Sequence, residues 1–196
     1  MSKAVLISIR PKWCELIASG EKTIEVRKTR PKQEPPFKCY IYCTKAKVPI
    51  TDSHGIAIMY EDDLAILKGW RSGIGNPCGM LGIGEELING KVFCEFICDQ
   101  IIEWHYIPDP DESADPGSMA YDVLTVDGEK TCLEYDEFED YGKGAQLYGW
   151  HISDLVIYDE PKALSEFTGL RKTKFGYAPY EITRPPQSWC YVEELV

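Results

Sequence analysis

Residues 9–30, IRPKWCELIASGEKTIEVRKTR, restrict the fold more than any other stretch of the chain. Pro11 stands at a plausible first helical position, where its missing N–H costs nothing. Trp13, Leu16 and Ile17 follow at i, i+3 and i+4 and predict one core-facing side of a short helix. Ser19-Gly20 ends that helix, and Gly20 suits a left-handed cap. Residues 23–27 then alternate: Ile24 and Val26 point one way, Thr23, Glu25 and Arg27 the other, with Lys22 at the entrance. The apolar, β-branched run 4–9 that precedes the helix predicts a first strand buried on both faces.

The rest of the chain reads mainly as strand. Residues 38–44 (KCYIYCT), 91–106 (KVFCEFICDQIIEWHY), 146–158 and 188–195 carry strand patterns. The length of the second predicts a bulge near Asp99-Gln100. Pro31, Pro35 and Pro36 mark a loop before the first of these. A helix is expected around 62–69 and another around 134–141. Gly82-Ile83-Gly84 matches part of a phosphate-cradling loop, but no GxGxxG follows, so a tight turn is the simpler reading. Residues 109–140 hold twelve acids against Lys130 alone and are read as an acidic insertion with little core. Residues 171–184 are basic and aromatic, which fits either a surface loop or a flap that contacts RNA. Strands separated far along the chain, with a short helix near the start, predict an α+β protein built on a small mixed β-barrel with insertions.

A chain of 196 residues with 44% hydrophobic residues forms one domain with its own core. No apolar run is long enough to cross a bilayer, and no secretory leader is visible, which predicts a cytoplasmic protein. Eight cysteines raise the question of disulfides. Cys39 and Cys43, like Cys94 and Cys98, are four apart on strands, roughly 13 Å by strand rise, beyond disulfide reach. Buried thiols are expected. With no CxxC or HxxxH spacing, no metal and no cofactor are assigned. The net charge of −11 disfavours general nucleic-acid binding. Residues 1–47 nevertheless hold eleven Lys or Arg against four Glu, a local excess of +7. That lobe is either a solvated surface or a mouth for an anionic or polar ligand.

The run Gly20-Glu21-Lys22-Thr23-Ile24-Glu25-Val26-Arg27 resembles the hallmark G-x-K-T-x-E-x-R stretch of the ASCH domain, a branch of the PUA-like superfamily, with Pro11 opening the preceding helix. Tyr148-Gly149-Trp150-His151-Ile152-Ser153-Asp154 is similar to the late barrel strand of bacterial and phage members, and Arg184-Pro185-Pro186-Gln187-Ser188-Trp189 to the approach to their last strand. The resemblance implies a single PUA-like domain over 1–196, a mixed β-barrel with short flanking helices, and insertions at about 52–90 and 108–145. It implies a cleft beside the first helix and RNA, or a nucleobase or nucleoside, as ligand. Some small members are amidohydrolases acting on N4-acetylcytidine; they use a Lys at the position of Lys22, a Thr three residues later and a remote Glu. Here Lys22 is present and Glu25 occupies the Thr position. Glu95 and Glu103 are the candidates for the remote Glu.

The expected ligand-binding set is therefore Arg10, Lys22, Thr23, Glu25, Arg27, His151 and Ser153. In a hydrolase (amidohydrolase or ribonuclease), Lys22 and Glu25 would take the acid–base roles. The bland alternative is that Glu25 pairs with Lys22 or Arg27 as a structural ion pair. His151 adds an imidazole, and Gly149 on the same strand face would let a ligand approach the backbone. Trp150 is either core or a stacking platform. A further alternative is a phage or prophage accessory protein whose acidic insertion holds a protein partner.

Overall fold

The computed structural model describes residues 2–45, 50–51, 57–58, 90–106, 121–122 and 125–195. The elements are β1 (Lys3–Ile9), α1 (Pro11–Ser19), β2 (Ile24–Arg27), β3 (Phe37–Cys43), β4 (Ile50–Thr51), β5 (Ala57–Ile58), β6 (Val92–Trp104), α2 (Thr125–Thr131), α3 (Tyr135–Gly142), β7 (Leu147–Lys162), a 3₁₀ turn at Leu164–Glu166, β8 (Thr168–Thr173), β9 (Gly176–Glu181) and β10 (Trp189–Glu193). Eight strands form a mixed sheet in the order β2-β7-β6-β3-β1-β10-β8-β9, and β4 pairs with β5. The α+β class holds, with an eight-stranded sheet and short helices. The helix expected around 62–69 and the Gly82-Ile83-Gly84 turn lie outside the described residues.

Two compact units divide the chain: Met1–Ser19, Lys38–Phe96 and Leu155–Val196 in the first, Gly20–Phe37 and Ile97–Asp154 in the second. The long strands β6 and β7 contribute to both. In the first unit β1 lies parallel to β3, from Val5↔Cys39 to Ile9↔Cys43, and antiparallel to β10, from Lys3↔Glu193 to Ile7↔Trp189. A strand paired on both edges and covered on both faces needs a continuous apolar run, and residues 4–9 are all buried. Ser8, the polar exception, donates its hydroxyl to the Pro186 carbonyl at 2.7 Å. Leu6, Tyr40, Val92, Phe167 and Val192 form the core here, with the Tyr40 and Phe167 rings 5.0 Å apart, edge to face.

The buried side of α1 is Pro11, Cys14 and Ile17, not the expected Trp13, Leu16 and Ile17. The Cys14 thiol donates to the Ile9 carbonyl at 3.5 Å. Trp13 stands half-buried at the flank, with the Lys12 ammonium 4.6 Å from its ring. Residues 168–181, of which 171–184 were expected as a surface loop or a flap, form the antiparallel β8–β9 hairpin, paired from Thr168↔Glu181 to Thr173↔Gly176.

In the second unit β2 pairs with β7 in the register Ile24↔His151, Glu25↔Trp150, Val26↔Gly149, Arg27↔Tyr148. Ile24, Val26, Trp104, Tyr121, Phe138 and Leu147 form its core, with the Trp104 and Phe138 rings 5.7 Å apart. The acidic segment thus supplies core, contrary to expectation: Tyr121 and Phe138 are each 3% exposed. The acids of α3 turn outward, with Asp136, Glu139 and Asp140 exposed while Phe138 points in. The Glu137 carboxylate accepts the Glu134 N–H at 3.0 Å, and Lys143, in the left-handed region at φ 52°, caps the end through the Glu139 carbonyl. Gly149 serves packing rather than a ligand: a Cβ there would stand 2.5 Å from the Trp104 ring. Trp150, fully buried and 6.0 Å from Phe37, is core.

Candidate functional site

Strand β2 is buried at all four positions, so its polar side chains are buried with its apolar ones. Lys22 is 2% exposed, Glu25 6% and Arg27 8%. Burying three charges is costly unless they pair, and these do. The Glu25 carboxylate accepts from Arg27 Nη2 at 2.9 Å through one oxygen and faces Lys22 Nζ at 3.6 Å through the other. Lys22 also donates to the carbonyl of Thr131, the last residue of α2. That carbonyl has no onward partner within its helix, and the negative end of a helix dipole suits a cation. The Thr23 N–H donates to the Lys130 carbonyl at 3.0 Å, which ties the start of β2 to the same helix end.

Burial is the largest influence on Lys22 and lowers its pKa from the ordinary lysine value; the charge of Arg27 adds to this, while Glu25 and the Cys132 thiol oppose it. Cys132 follows the helix end in the left-handed region at φ 53°. Its thiol pKa is raised by burial, and Lys22 works against that rise. Tyr141 of α3 feels both other members of the cluster: its pKa is raised chiefly by burial, with Arg27 lowering and Glu25 raising it. Its ring lies 5.1 Å from the Lys28 ammonium. Helices α2 and α3, both from the segment read as an insertion, therefore border Lys22, Glu25 and Arg27.

The remaining expected residues fall elsewhere. Cross-strand partners share a sheet face, so Glu25 lies on the face of Trp150, whereas His151 lies on the face of Ile24. The expected single cleft uniting Glu25 and Arg27 with His151 and Ser153 is thus corrected to two faces of one ladder, because a period of two separates neighbours. His151 is half-buried, with Nδ1 2.6 Å from Asp99 Oδ1, and the Ser153 hydroxyl donates to the Ile97 carbonyl at 2.9 Å. Arg10 is exposed in the first unit, where its carbonyl accepts the Trp13 and Cys14 N–H groups at the start of α1. Neither candidate remote Glu is held by Lys22's neighbours. Glu95 engages Lys38 at 3.2 Å and the Tyr158 hydroxyl at 2.6 Å; Glu103 engages Arg30 and Gln146, each at 3.1 Å. Thr131, Cys132, Tyr141 and Asp99 were not foreseen; the only sequence cue was the helix pattern ahead of Tyr141.

The family model for the ASCH domain matches residues 7–185. No curated protein matches the sequence. Similar solved structures include the crystal structure of ASCH from Zymomonas mobilis, 15% identical with a TM-score of 0.47, covering 97% of this chain and 88% of that one. A mutant of the same Zymomonas mobilis protein is 14% identical with a TM-score of 0.47, covering 97% and 91%. With the family model spanning most of its length, the chain belongs to the ASCH domain family.

Proposed function

We propose that the protein binds RNA or a nucleobase-containing ligand through Lys22, Glu25 and Arg27, on a sheet closed into a PUA-like barrel. The observation that carries this is the gathering of three ionisable side chains, each at most 8% exposed: Glu25 and Arg27 on β2, and Lys22 two residues ahead of it. The lowered pKa of Lys22, set by burial with Glu25 and Arg27 beside it, is a perturbation of the kind that clusters at functional sites. ASCH domains are generally RNA-binding, which sets the ligand class. Two cationic donors flanking one carboxylate acceptor match the alternating donors and acceptors on the edge of an unstacked base. Thr23 holds the strand against α2 through its backbone, so its part is positioning. Binding of nucleosides and short RNAs at low salt, measured by calorimetry for the wild type, Lys22→Met and Arg27→Met, tests the reading. Affinity that falls in both variants supports it; no binding by the wild type ends it.

A second reading, hydrolysis of an acylated nucleoside, draws on the lowered pKa of Lys22. A lysine amine that loses its proton more readily can accept one from an attacking water while Glu25 orders the amine. Water adds to the acyl carbon, the C–N bond breaks, and the proton passes to the leaving amine. Incubation with N4-acetylcytidine, followed by chromatography, decides it: free cytidine that disappears in Lys22→Met supports it, and no turnover removes it.

A further inference from the structure

The β8–β9 hairpin ends in a two-residue turn, Lys174-Phe175, whose ring is 100% exposed. The turn is ordered by its own hydrogen bonds. The Phe175 N–H donates to Thr173 Oγ1 at 3.2 Å, and that hydroxyl donates to the Gly176 carbonyl at 3.1 Å. Gly176 takes φ 120°, a conformation open to glycine. Phe175 is therefore held out in water by a built turn. Behind it the rings form a row across the sheet. Tyr177, 42% exposed, lies 5.5 Å from Tyr191, which lies 5.4 Å from Trp189. The register explains the row: Tyr191 pairs with Leu170, and Lys172 pairs with Tyr177, so all four share one face. Cations accompany the rings. The Lys3 ammonium stands 4.6 Å from the Tyr177 ring and 4.3 Å from that of Tyr191. Arg171, Lys172 and Lys174 are exposed, and residues 167–180 contain no acid in a chain of net charge −11.

We propose that this hairpin is a second, separate binding surface, taking a single-stranded RNA segment by stacking bases on Phe175 and Tyr177 while Lys172 and Lys174 contact phosphates. Exposed aromatics interleaved with cations are the chemistry of sequence-tolerant single-strand binding. A lipid surface would be met by the tip alone, whereas here rings and cations continue along the sheet face behind it. Local positive charge in an acidic chain also draws a polyanion to this surface. The surface lies in the first unit and does not depend on Lys22, so it stands or falls apart from the nucleoside site.

The test uses the full chain and an end-labelled oligouridine of about ten nucleotides, read by fluorescence anisotropy. The wild type is expected to bind at about 50 mM salt and to weaken steeply by about 200 mM. Phe175→Ala and Phe175→Leu should each weaken binding about 5- to 100-fold, since leucine keeps the apolar bulk but not the stacking face. Replacing Lys172 and Lys174 by Ser should flatten the salt dependence by a slope of about 1.4, the share of two single-strand phosphate contacts. Nucleoside affinity in Phe175→Ala should stay at the wild-type value. No wild-type binding at low salt overturns the proposal. So does Phe175→Leu binding as well as wild type, or Phe175-dependent capture by phosphatidylserine vesicles without RNA binding.

Discussion

Ile24 sits opposite His151 in the β2–β7 ladder, and its chain neighbour Glu25 sits opposite Trp150. One step along the strand therefore separates a buried ion cluster from a half-exposed imidazole–carboxylate pair. His151→Ala is accordingly expected to leave nucleoside affinity within about twofold of wild type, while Lys22→Met lowers it. The His151–Asp99 pair, 32% and 45% exposed, is worth less than about 1 kcal/mol. Calorimetry and urea unfolding of the same variant check both statements.

Glu25→Gln removes the carboxylate that lies between Lys22 and Arg27. Leaving buried cations without their counter-charge costs about 3–5 kcal/mol. The same change takes away a contribution that raises the Lys22 pKa, so that pKa falls further. Urea unfolding gives the first quantity, and the pH dependence of lysine-selective acylation gives the second.

Lys22 also sets a pH dependence. Its folded pKa lies below its unfolded one because burial disfavours the ammonium. Between those two values the unfolded chain holds the extra proton, so stability rises with pH there. Below the folded pKa both states are protonated and the burial cost is present in full. The melting temperature of the wild type minus that of Lys22→Met should therefore grow as pH rises toward about 10.4, the unperturbed lysine value. Taking the difference cancels the shared titration of tyrosines and thiols. A difference that is flat or falls with pH contradicts the assignment.

Gly149→Ala should destabilise by about 1–3 kcal/mol, the usual cost of overpacking. The added methyl would stand 2.5 Å from the Trp104 ring and 2.9 Å from Ile24 Cγ2, both in the core of the second unit. Far-UV circular dichroism with a urea titration reads the loss, and Gly149→Ser should behave alike.

Strand β1 was legible as a continuous apolar run, and strand β3 and the two faces of β2 because their residues follow a period of two. The face of α1 was misread because the buried side runs through Pro11, Cys14 and Ile17, three residues apart, and leaves Trp13 and Leu16 half-buried at its flank. Residues 171–184 fitted either a surface loop or a flap because the strands of the hairpin are mostly exposed and carry no apolar alternation. The Lys22–Glu25–Arg27 cluster was expected from spacing. The groups that border it were not, since nothing in the acidic run singles out Thr131, Cys132 or Tyr141. The separation of His151 from Glu25 depends on cross-strand register, which no local pattern carries.

The central claim is that the buried Lys22 amine meets the ligand. Nitrogen-detected NMR of a ¹⁵N-lysine-labelled protein, with Lys22→Met to assign the Lys22 Nζ signal, tests it most directly during a nucleoside titration. The account predicts that this signal moves with ligand concentration, saturates with the calorimetric affinity, and titrates at a different pH when the site is filled. A ligand that binds while the Lys22 signal stays fixed would contradict it.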